Sequence, residues 1–92
     1  MSASMLERMQ MGLRLKFEKK RDELARLKQR VDDLQDIETS SMMKGISSRM
    51  EIAVNMENLD DKIKAGDQIK VETNIMMQKF EIALLKRYQD TH

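Results

Sequence analysis

The chain has no cysteine, no proline and no tryptophan, and its only aromatic side chains are two Phe and one Tyr. Each absence excludes something. Without cysteine there are no disulfides, thiolate metal sites or cysteine nucleophiles. At 3% aromatic against 36% charged, the bulky side chains of a compact globular core are missing, and the composition fits chains built of long helices. The single histidine is the last residue, His92, where fraying argues against a positioned ligand or base. No run approaches the roughly 18 apolar residues of a membrane span, and "MSASMLERMQMGLRLKFEKK" carries charges where a secretion leader needs an apolar stretch. A soluble, cytoplasmic protein without a transmembrane segment is expected. Ninety-two residues make a single domain.

The motifs of chemistry are lacking too. No glycine-rich phosphate loop, Ser-His-Asp set, zinc pattern or calcium-loop spacing occurs. The adjacent pairs Asp32-Asp33 and Asp60-Asp61 diverge on a helix and form no close dyad. No enzyme, catalytic residue, metal ligand or cofactor is expected from this set.

What is present is helical spacing. Two Ser-x-x-Glu boxes, Ser4 to Glu7 and Ser48 to Glu51, read as helix starts in which the serine accepts from an otherwise unpaired backbone N–H. They predict a helix over 5–38, a connection over 39–48 containing "TSSMMKG", with Gly45 free to take positive φ, and a second helix over 49–89. Near 65–67 the segment "KAGDQIK" allows either a continuous, slightly bent helix or a break with Asp67 as the next cap.

The first helix has a stripe of Leu6, Met9, Leu13, Phe17, Leu24, Leu27, Val31 and Leu34, with Lys20 in one place of the series. The second has Ile52, Met56, Leu59, Ile63, Ile69, Met76 and Phe80, with Gly66 and Thr73 in two places of the series. These steps of three and four predict an all-α, coiled-coil-like antiparallel hairpin. Folding the stripes together sets Leu34 against Ile52, Val31 against Met56, Leu27 against Leu59, Leu24 against Ile63, Lys20 against Gly66, Phe17 against Ile69 and Leu6 against Phe80. Ile82, Leu84, Leu85 and Tyr88 should then project past Leu6.

A two-helix hairpin buries too little to be self-sufficient. The apolar residues left over include Met5, Met11, Leu15, Ile75, Met77, Ile82 and Leu85 near the chain ends, with Ile37, Met42, Met43, Ile46 and Met50 near the turn. Contiguous apolar surface of this kind marks an interface. Met77, Ile82, Leu84, Leu85, Tyr88, Met11, Leu15, Met42, Met43 and Met50 are therefore the expected partner-binding residues. The partner is a second copy or another helical protein, completing a helical bundle. The expected role is that of a helical adaptor or assembly subunit.

Two other roles stay open. The basic segment 14–30 could contact nucleic-acid phosphates, but Glu18, Asp22 and Glu23 interrupt it and no aromatic series offers base stacking, which weighs against nucleic acid. In being short, helical, charged and free of cysteine, the chain also resembles the small chaperones of bacterial secretion systems. That resemblance of type implies a chaperone that shields a partner's amphipathic helix.

Overall fold

The computed structural model describes residues 2–91, which form three helices and no strand: α1 (Ala3–Leu34), α2 (Ile37–Val54) and α3 (Leu59–Thr91). His92 lies outside the described residues. The class is all-α, as expected from the composition. The number of helices is a correction, and the two interruptions explain it.

Neither interruption uses glycine or proline. At the first, Gln35 takes a left-handed conformation, φ 60°, and its N–H donates to Asp32 O at 3.1 Å. Asp36 then caps α2: its carboxylate accepts from the Thr39 N–H and hydroxyl, each at 3.0 Å. Those two donors hold the Asp36 carboxyl below the ordinary carboxylate range, and the positive charge of Lys86 adds to the effect. At the second interruption, Asn55 Nδ2 donates to Glu51 O at 3.0 Å, and Asn58 Oδ1 accepts from the Asp61 N–H at 3.0 Å. Asp60 and Asp61 follow in the first turn of α3, where negative charge meets the positive end of the helix dipole.

The expected connection over 39–48 is helical. Thr39, Met43, Ile46, Met50 and Ala53, spaced by four and three, are all buried, so this face repays the modest helix propensity of the Ser- and Gly-containing segment. Ser48 sits exposed in mid-helix rather than at a cap. Gly45 is helical, with no positive φ. At the N-terminus the cap is Ser2, which accepts from the Met5 N–H at 3.2 Å, and Ser4 lies inside α1. Gly66 lies within a continuous α3.

The extra reversal changes the register. α2 runs antiparallel to α1 and again to α3, so the antiparallel hairpin occurs twice, and α1 and α3 end up parallel. Phe17 abuts Gly66, Arg30 lies over the Phe80 ring at 5.8 Å, and Arg87 Nη1 donates to Leu34 O at 2.8 Å. The α1–α3 pairings expected from an antiparallel hairpin, Lys20 with Gly66 and Leu6 with Phe80 among them, are replaced. Leu27 and Leu59 do not share a layer, since Leu59 lies with Met9 and Leu13. Nor does the end of α3 project past Leu6; it lies beside the α1–α2 turn.

α2 is the middle helix. It packs against both neighbours, which touch each other little, and the rod measures 60 × 17 × 16 Å. The core is Phe17, Leu24 and Val31 of α1, the buried face of α2, and Ile69, Met76 and Phe80 of α3. Two ion pairs join α2 to α3, Arg49 with Glu72 and Lys79 with Glu38. Lys62 is buried beside the end of α2: its ammonium donates to Val54 O at 2.9 Å and lies 5.0 Å above the Phe17 ring. The last carbonyls of a helix lack partners and carry partial negative charge, so Lys62 closes α2 from the following helix.

Candidate docking surfaces

The packing of α1 and α3 on α2 leaves two apolar surfaces that the described residues do not cover. The first is a groove of about 600 Å³ between α1 and α3. Leu13 and Leu27 line it from α1, Ile63 and Thr73 from α3, and Phe17, Met50 and Ile69 from the core. The charged residues along it are Lys16, Lys20, Glu23, Asp67 and Lys70, of which Lys20 and Glu23 pair with each other at 3.3 Å. A smaller recess continues it toward the start of α1, lined by Met9, Gly12, Leu13, Lys16, Leu59 and Ile63.

The second surface is the side of α3 turned away from the core. Val71, Ile75, Ile82 and Leu85 are 58%, 45%, 66% and 61% exposed, although all four are large aliphatics. With Gln78 they recur at steps of four, three, four and three, a seam running along one side of the helix. Ile69, Met76 and Phe80 face the opposite way, into the bundle.

The expected partner-binding residues divide. Ile82 and Leu85 belong to the outer seam, and Leu84 and Tyr88 are exposed near the end of α3. Met11 and Leu15 are exposed on α1. Met77 and Met42 are half-buried against the core. Met43 and Met50 are buried, at 0% and 4% exposure, which corrects their assignment: Met43 lies in a helix instead of the expected connection, Met50 lies in α2 instead of opening the second helix, and both pack in the core. Among the expected hairpin core, Leu13, Leu27, Leu34, Met56 and Leu59 are half-buried. Leu6, Met9, Ile52 and Ile63 are exposed: for Leu6, Met9 and Ile63 the antiparallel pairing of α1 with α3 that was to cover them is not there, and Ile52 lies off the buried face of α2. Val71 and Ile75 were outside the expected set. Their signal was the second three-four series in α3, which a single-stripe reading passes over.

The basic stretch of α1 is partly neutralised within the helix. Arg14 pairs with Glu18 at 3.5 Å, Arg21 with Asp22 at 3.6 Å and Lys28 with Asp32 at 2.7 Å. Among the described residues no three His, Cys, Asp or Glu side chains come together in a way that could hold a metal ion. No helix among the described residues is long and apolar enough to cross a membrane.

Comparison with protein-family models, with curated proteins and with solved structures finds no match.

Proposed function

We propose that the protein is a non-enzymatic helical adaptor or assembly subunit that holds partners through apolar helix faces. The observation that carries this reading is the placement of α1 and α3 on either side of α2 with little contact between them. Three helices then occupy three positions of a bundle, and the groove between Phe17, Met50, Ile63 and Ile69 is a place where a further amphipathic helix can bury one face. Leucine and isoleucine along its walls supply the apolar area, and the lysines beside it supply orientation rather than raw affinity.

The same groove favours a second reading, in which the chain is a small chaperone that covers a partner's amphipathic helix and later gives it up. The two differ in whether the bound helix stays in the final assembly. A photo-crosslinking residue in place of Ile63, in cells that make the protein, tests the shared premise. Adducts to another polypeptide from position 63, with none from the exposed polar position Lys44, are the expected result. A position 63 that crosslinks to nothing contradicts the reading. Adducts still present in the mature complex favour the adaptor, and adducts confined to its precursors favour the chaperone.

A further inference from the structure

The outer side of α3 has an internal order that the groove lacks. Numbered as a heptad, Ile75 and Ile82 fall at a positions, and Val71, Gln78 and Leu85 at d positions. β-Branched residues at a with leucine at d favour parallel two-stranded coiled coils, a pattern that Ile75 and Ile82 at a and Leu85 at d follow; Gln78 is the one polar residue of the seam. Gln78 offers both a donor and an acceptor, so a second Gln78 at the same level can satisfy it. An unrelated apolar partner would leave it unpaired.

The flanking charges point the same way. Glu81 is at a g position and Lys86 at the e position five residues later, the spacing at which parallel, in-register helices set g against the partner's e. Neither side chain makes an ion pair within the chain among the described residues, although Lys86 acts through space on Asp36. An antiparallel partner would set g against g and lose both attractions.

From these observations we infer that the Val71, Ile75, Gln78, Ile82 and Leu85 face of α3 docks a second copy of this chain as a parallel, in-register two-stranded coiled coil. This rests on the reading of the protein as an assembly subunit and names one of its partners. The seam spans two heptads, about 21 Å at 1.5 Å per residue. That is short of the three to four heptads of self-sufficient coiled coils, so the dimer dissociates on dilution.

Sedimentation equilibrium and cysteine crosslinking test it together, since the chain has no cysteine of its own. The wild-type mass should rise from one chain toward two with concentration. Leu85→Cys should form a symmetric disulfide dimer under mild oxidation, whereas Lys44→Cys should not. Glu81→Lys should weaken association by about threefold to tenfold, through loss of two charge pairs and gain of two repulsions, and adding Lys86→Glu should restore it. A mass of one chain at every concentration would overturn the proposal. So would a Leu85→Cys variant that fails to crosslink while the wild type dimerises, or a double charge reversal that fails to rescue. Monomeric behaviour with crosslinking at position 63 intact would remove the second copy and leave the adaptor reading standing.

Discussion

The two sides of α3 have similar chemistry and opposite fates. On one side Ile69, Met76 and Phe80 are at most 4% exposed, and on the other Ile75, Ile82 and Leu85 are open. Both sides carry large aliphatic or aromatic residues at helical spacing, so hydrophobicity alone does not decide which is buried within the chain. The difference lies in neighbours. α2 returns alongside the inner face with Met43, Ile46, Met50 and Ala53, and none of the described residues returns alongside the outer one. A helix apolar on two sides either stands inside a larger bundle or waits for another chain.

The comparison breaks most visibly at the two positions on either side of Glu81. Phe80→Ala should cost about 3 to 5 kcal/mol of stability, as for a buried aromatic, while Ile82→Ala should leave unfolding of the dilute protein nearly unchanged and weaken self-association. Urea denaturation at low concentration, paired with sedimentation, separates the two. Equal losses of stability would mean that Ile82 is part of the fold.

A second contrast concerns Lys62, a cation on the inner side. Lys62→Met keeps the aliphatic stem but leaves the Val54 carbonyl without its donor, with an expected cost of about 1 to 3 kcal/mol. Lys64→Met, on an exposed position, should cost little in the same denaturation measurement.

At Gly66 an added Cβ would lie 2.7 Å from Phe17 Cζ. Overpacking costs about 1 to 3 kcal/mol, which should outweigh the roughly 1 kcal/mol that alanine gains over glycine inside a helix. Gly66→Ala should therefore destabilise. In a Phe17→Leu background the ring is gone and the same change should become stabilising, a reversal read from a double-mutant cycle.

Gln35 belongs to neither face and should act on the fold alone. Its left-handed backbone costs an L-residue about 1 to 2 kcal/mol, part of which glycine returns in unfolded-state entropy. Gln35→Gly should raise Tm while leaving the dimer dissociation constant unchanged.

The smallest effect is at Asp36. Its carboxyl is held below its ordinary value in the folded chain, so its contribution is complete above the unfolded pKa and is lost as pH falls through the folded one. Stability should fall from this source only below about pH 4, the ordinary carboxylate range, and Asp36→Asn should remove that part of the pH dependence.

The all-helical class was legible because apolar steps of three and four run through the whole chain. The topology was not, and the reason is local. Gln35, Asp36, Asn55 and Asn58 end and begin helices without a glycine or proline to announce them, while Ser48 and Gly45 imitate a helix start and a turn within α2. What could have separated them is burial spacing: Thr39, Met43, Ile46, Met50 and Ala53 form a stripe as regular as those of the longer helices. For the docking surfaces, Ile82 and Leu85 were visible as surplus apolar residues. Met43 is buried because the connection it was given to is helical, and Met50, expected at the start of the second helix, lies on the same buried face of α2. Lys62 had no signal in sequence, since a buried lysine differs from a solvated one only in what the chain later packs around it.

The central claim is that one face of α3 folds the chain and the other joins chains, and thermal unfolding across a concentration series tests it most directly. Association stabilises the native state by mass action. Wild-type Tm should therefore rise with protein concentration, and the Ile75→Lys, Ile82→Lys variant should show a constant Tm equal to the dilute wild-type limit. A variant that melts lower at every concentration would make the outer face part of the fold, and a wild-type Tm independent of concentration would contradict the interface between copies.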